Sequence, residues 1–172
     1  MPKIIENLRE NIIEEAQKQL NENGYAKMTI RSVASALGIG TGTMYNYFKS
    51  KDVLISTFML EDWHKCTAKM RSIKVEDKME FLEKIYEALK VFVDKYRYIF
   101  EDEDAKISFF AVFSKRHVQL RGVIAEIIIP ICQDVTGVDS SFLANHIAES
   151  MLFWMLEDIP FEKQRTVLEK YF

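Results

Sequence analysis

The chain has 172 residues, of which 48% are hydrophobic and 28% charged, with six glycines and three prolines; this excludes a disordered or low-complexity protein and leaves room for one ordinary domain or a small module joined to a larger one. A net charge of −3 and a pI near 5.7 exclude a chain that is basic throughout, but residues 1–54 carry seven Lys or Arg against six Asp or Glu and the remainder 16 against 20, so a phosphate-facing patch near the N-terminus stays open. Cys66 and Cys132 form no C-x-x-C pair, the start lacks the apolar run of a signal peptide, and no stretch approaches the ~18 apolar residues of a membrane span, so a cytoplasmic protein without membrane partner, metal or cofactor is expected.

Ile5, Leu8, Ile12, Ala16 and Leu20 recur at three- and four-residue spacings. They predict an amphipathic helix over 4–23, stopped at Asn23 and Gly24 because glycine takes the left-handed conformation of a helix C-terminus. Thr29 is a good N-cap for a second helix whose stripe is Ile30, Val33, Ala34 and Leu37 and which ends at Gly38. Ser32 stands where a full capping box has Glu or Gln. A short third helix is expected from about Thr41 to Phe48, and Ser50 caps a fourth that reaches the low seventies.

After a polar connection, Met79, Leu82, Ile85, Tyr86, Leu89, Phe92, Val93 and Tyr96 predict a long helix over 76–100 with a wide apolar face. The acidic run at 101–104 reads as a connector and helix start, since carboxylates suit the positive end of a helix dipole. Helices over 105–115 and 117–135 follow, the second kinked or ended by Pro130. A last pair runs from Ser140 to about Glu157 and from Pro160 to Phe172. No sustained period-two alternation appears, so the expected fold class is all-α with about nine helices.

The run Gly38, Gly40, Gly42 has the look of a nucleotide loop, but a dinucleotide fingerprint needs G-x-G-x-x-G after a strand, and here position 43 is Thr43 and an amphipathic helix precedes. A Walker loop fails for want of its spacer and Gly-Lys-Ser/Thr. A helix-turn-helix needs a small residue where two helices cross, a glycine in the turn and apolar pins between the helices. Ala34, Gly38, and Val33 with Leu37, Ile39 and Met44 supply these.

Gly24 with Tyr25, Thr29, and the string Gly42, Thr43, Met44, Tyr45, Phe48 leading to Lys51 occur together at fixed spacing. With the segment from Ile12 to Ile55 around them, they resemble the N-terminal DNA-binding domain of the TetR family of transcriptional repressors. The resemblance covers about the first third of the chain. It implies a three-helix DNA-binding domain at 1–50 and a helical effector-binding and dimerisation domain at 51–172. It also implies double-stranded DNA as partner, an unidentified small-molecule effector, and a homodimer formed through the last two helices. Tyr45 and Tyr47 are either packing aromatics or, as their aligned residues are in the family, phosphate contacts; a phenol can pack its ring and offer its hydroxyl. Lys51 is either an exposed charge or, at the start of the fourth helix, similar to the family's phosphate-binding lysine. Thr29 is a cap on either reading, and base reading falls to Thr41, Thr43 and Asn46. Gly40 and Thr41 depart from the family's usual serine and lysine, so a cap and a cation are lost and flanking residues such as Arg31, Lys27 and Lys49 gain weight.

Downstream, the apolar supply that includes Trp63, Phe92, Phe109, Phe113, Met151 and Trp154 either fills a bundle core or lines the effector pocket. Met151, Trp154 and Met155 lie a turn apart and suit an interface or a pocket wall. No histidine has a second metal ligand at helical spacing, and no nucleophile with its base can be picked out. The expectation is a dimeric, ligand-responsive repressor on a near-palindromic operator. The alternative is a helical adaptor or enzyme that keeps the helix-turn-helix as scaffold.

Overall fold

The computed structural model describes residues 7–172, with the side chains at 100, 101 and 108–117 outside the description. Eight helices are present among the described residues: α1 (Leu8–Lys27), α2 (Ile30–Ala36), α3 (Thr41–Tyr47), α4 (Lys51–Arg71), α5 (Lys78–Glu101), α6 (Glu103–Cys132), α7 (Ser140–Leu156) and α8 (Phe161–Leu168). The chain divides into two compact units, one of residues up to 62 together with 98–109, the other of 63–97 and 110–172.

In the first unit, α1 turns Ile12, Ile13, Ala16 and Leu20 inward; Ile5 lies outside the described residues. The backbone leaves helical values at Gly24 (φ 77, ψ 174), and one further turn closes through the Met28 N–H to the Gly24 carbonyl at 3.3 Å. Val33 and Ala34 of α2, Met44 and Phe48 at α3, and Leu54, Ile55 and Phe58 of α4 complete an apolar interior with Ile99 and Ala105. Each such buried large side chain is worth about 1.5–3 kcal/mol relative to exposure.

Two local expectations are corrected. Ser32 does form a capping box: the Ser32 N–H donates to Thr29 Oγ1 at 2.9 Å and the Thr29 N–H donates to Ser32 Oγ at 2.9 Å. A hydroxyl can accept that bond as a longer Glu or Gln would. The two helices expected over 105–115 and 117–135 are one, α6, because nothing between them breaks the ladder; it ends two residues past Pro130, whose missing N–H weakens the last turn.

Ser50 caps α4 as expected, and Asp102 and Asp139 cap two further helix starts. Ser50 Oγ accepts from the Val53 N–H at 3.2 Å, Asp102 Oδ1 from the Ala105 N–H at 2.8 Å, and Asp139 Oδ1 from the Phe142 N–H at 2.7 Å. In the second unit all eight apolar positions expected on α5 that face inward, from Met79 to Tyr96, are buried. Arg97 closes the end of α7, donating to the Met155 and Leu156 carbonyls at 3.4 and 3.3 Å and forking onto Asp158 at 2.8 and 3.1 Å. α8 is shorter than expected and stops at Leu168.

Candidate nucleic-acid interface

The join between α2 and α3 is a glycine-closed helix end. Gly38 has φ 65; its N–H donates to the Ser35 carbonyl at 3.1 Å, and the Ile39 N–H reaches back to the Ala34 carbonyl at 3.0 Å. This paired closure is the Schellman arrangement, and any side chain at Gly38 meets strain from the backbone alone. The three glycines therefore do three different things. Gly38 ends α2, Gly40 (φ −71, ψ 146) precedes α3 without a side-chain cap, and Gly42 lies inside α3. The segment turns one helix into another.

α3 is pinned by Met44, fully buried, and by Phe48 behind it, 3% exposed, with the Arg9 guanidinium of α1 5.8 Å from the Phe48 ring centre. Gly42 and Asn46 each stand two residues from Met44, about 200° around the helix, and so form its outward crest. Tyr45 and Tyr47 are 48% and 46% exposed. Thr41 and Asn46 are exposed, Thr43 is half-buried, and a Cβ at Gly42 would touch nothing within 4 Å. Thr29, Arg31 and Gly40 are all exposed on the same unit.

Lys51, at the start of α4, is half-buried. Its ammonium donates to the Tyr25 carbonyl at 2.9 Å and lies over the Tyr25 ring, while the Tyr25 hydroxyl donates to Asp52 Oδ1 at 2.7 Å. Burial lowers the Lys51 pKa, and the carboxylates of Asp52, Asp102 and Asp104 act in the opposite direction. Lys49 is exposed, its ammonium 3.4 Å from the Tyr45 carbonyl.

Of the residues considered for an effector pocket, Trp63 and Phe92 pack edge to face at 5.3 Å between ring centres, and Phe92 meets Tyr96 at 5.1 Å. Met151 is fully buried and Trp154 half-buried; the side chains of Phe109 and Phe113 lie outside the described residues. Met151 and Met155 face the chain's own interior, and the large apolar side chains that α7 leaves exposed are Phe142, Phe153 and Leu156, at 70%, 58% and 43%. Sequence reasoning also missed Gln19 of α1, whose amide meets Ser32 at the start of α2. No local pattern signals a contact across thirteen residues.

Residues 12–57 match the family model described as bacterial regulatory proteins, tetR family. The chain is 30% identical over 63 residues to the HTH-type transcriptional regulator UidR of Escherichia coli, covering 37% of this chain and 32% of that protein. It is 33% identical over 90 residues to an HTH-type transcriptional regulator of Staphylococcus aureus, covering 52% of this chain and 45% of that one. The matched part thus spans 32% to 45% of these relatives' length. Among solved structures, a transcriptional regulator of the TerR/AcrR family from Aquifex aeolicus superposes with a TM-score of 0.68 at 18% identity, covering 95% of this chain and 99% of that one. A TetR-family regulator from Marinobacter aquaeolei superposes with 0.63 at 16% identity, covering 91% and 80%. At such identities the likeness concerns the fold.

Proposed function

The chain belongs, through residues 12–57, to the tetR family of bacterial regulatory proteins, and from that membership we propose that it is a DNA-binding transcriptional regulator that works as a homodimeric repressor. The observation that carries the reading is the outward side of α3. A short helix held at a fixed angle by the Gly38 turn presents Thr41, Tyr45, Asn46 and Tyr47 away from the interior, which is the form a rod needs to enter a major groove about 12 Å wide.

On this reading Tyr45, Tyr47, Thr29, Arg31 and Lys51 meet phosphates, and Thr41, Thr43 and Asn46 meet base edges, Asn46 having the amide that pairs with adenine. Gly40 and Gly42 keep the backbone at the start of α3 low. α7 and α8 join two copies through the apolar surface of Phe142, Phe153 and Leu156, so that two α3 helices stand about one DNA turn, ~34 Å, apart and call for a near-palindrome. A small effector held in the second unit, near Trp63, Phe92, Met151 and Trp154, lowers DNA affinity by preferring a state of the dimer unsuited to DNA. Such coupling is commonly about 1–3 kcal/mol.

The test is selection from random duplexes at low salt followed by sequencing. A palindromic consensus supports the reading; a protein that enriches no sequence and retains no DNA sinks it.

A further inference from the structure

We propose that Gln19, on the helix remote from the groove-facing one, is a positioning residue for DNA binding that holds the first turn of α2 in place through a directional chain of hydrogen bonds. The proposal rests on the DNA-binding reading above and adds to it a residue that touches no DNA.

The hydrogen bonds run from α1 to the start of α2. Gln19 Nε2 donates to Glu15 Oε1 at 2.7 Å and to the Ser32 carbonyl at 3.2 Å. Ser32 Oγ lies 2.6 Å from Gln19 Oε1 and 2.9 Å from the Thr29 carbonyl, and it accepts from the Thr29 N–H at 2.9 Å. A carboxylate accepts and never donates, so Glu15 fixes which end of the amide is its nitrogen. Gln19 Oε1 must then face Ser32. The single hydroxyl proton of Ser32 goes to the nearer acceptor, Gln19, and its lone pair is left for the Thr29 N–H.

The direction set at Glu15 therefore passes through Gln19 and Ser32 to Thr29. Thr29 and Arg31 occupy the turn that is held, and both are exposed. α2 has only seven residues, too few to keep its own position, and its other end leads through the Gly38 turn into α3. Tying the first turn of α2 to α1 thus fixes the side of the interface that flanks α3. An ordinary core contact would be satisfied by any apolar side chain of similar size. This chain is not, because Gln19→Met removes the acceptor 2.6 Å from Ser32 Oγ and the side-chain donor to the Ser32 carbonyl, so the hydroxyl turns to the Thr29 carbonyl at 2.9 Å and the tie between α1 and α2 is lost.

The experiment uses the full chain and the duplex it enriches from the random pool, with affinity measured by anisotropy at several salt concentrations and helix content followed on heating. Gln19→Met is expected to weaken binding roughly tenfold and to lower the salt slope by about 0.9, the value of one phosphate, at a temperature where it is fully helical. Ser32→Ala is expected to lose a similar factor alone and little more in the Gln19→Met background, because the two act in one chain. A Gln19→Met variant that melts earlier but keeps affinity and slope overturns the proposal, as do losses that simply add. Should Gln19→Met not fold, Ser32→Ala decides by the same affinity and slope. A wild-type protein that binds no duplex sinks the function reading itself, whereas wild-type binding with unaffected variants sinks this inference alone.

Discussion

Lys51 and Tyr25 hold each other twice, the ammonium lying 3.5 Å from the centre of the phenol ring and donating to the same residue's carbonyl at 2.9 Å. One ammonium proton is used in this way, and an ammonium has three. The lysine is therefore a clamp between the end of α1 and the start of α4 as well as the proposed phosphate contact. Lys51→Ala is expected to lower folding stability by about 1–2 kcal/mol. It should also weaken DNA binding evenly across sequences and reduce the salt slope by about one. Melting curves and salt titrations separate the two effects; an unchanged slope would leave Lys51 with the clamp alone.

Asn46 and Thr43 should behave differently from Lys51. Asn46 is on the crest of α3, whereas Thr43 is half-buried on its flank. Asn46→Ala is expected to relax preference at one base pair by about 1–3 kcal/mol, with a smaller change for Thr43→Ala. Repeating the selection with each variant checks this, and a consensus identical to that of the wild type in both would remove base reading from this face.

Gly40 begins α3 with a negative φ and no side-chain cap, and a Cβ there would come no nearer than 3.9 Å to Thr43 Oγ1. Gly40→Ser should therefore add a capping hydroxyl and restrict the unfolded chain, for a gain of about 1 kcal/mol. A thermal melt that falls instead would show that the position needs glycine for a reason within the fold.

Much of this architecture was legible where the signal is local and repeated. The α5 face was complete because eight apolar residues over 24 keep one period, and Ser50 and Gly38 punctuate helices by their own backbone and hydroxyl chemistry. Ahead of α3, the glycine run reads as a turn because the strand a phosphate loop requires is missing. The undivided α6 was not legible, since the polar stretch 114–117 begins with a serine able to cap a new helix, yet contains no breaker and is equally at home within one. The outward face of α7 was not legible either: Met151, Phe153 and Leu156 are all apolar, and which of them meets the interior depends on neighbours distant in sequence.

The exposed face of α7 gives a test of the proposed dimer. Phe142, Phe153 and Leu156 recur at helical spacing and remain uncovered. Phe153→Glu should leave the fold within about 0.5 kcal/mol of the wild type, as surface changes do, yet dissociate the pair and weaken binding to a two-half-site duplex. Sedimentation equilibrium reads the first outcome and anisotropy the second. A variant that stays dimeric would move the interface elsewhere.

The two thiols give a pH signature. Burial pushes Cys66 and Cys132 up to about 11 from 9.0. Below pH 9 both folded and unfolded chains keep these protons, so the thiols' contribution is fully present. Between about pH 9 and 11 the unfolded chain loses them first, and stability falls as pH rises. Native protein should also react slowly with a thiol reagent at pH 8 and quickly in denaturant; rapid native labelling would place the cysteines outside the interior.

Tyr98 donates to Asn21 Oδ1 at 3.0 Å, 77 positions away in sequence, and Ile99 and Ala105 are fully buried in the same unit as α1 to α3. The unit that holds α3 is thus not a portable cassette. A graft that stops at residue 62 would carry α3 but leave behind its distant struts, so exchanging the proposed operator preference between relatives calls for moving both pieces of the chain together.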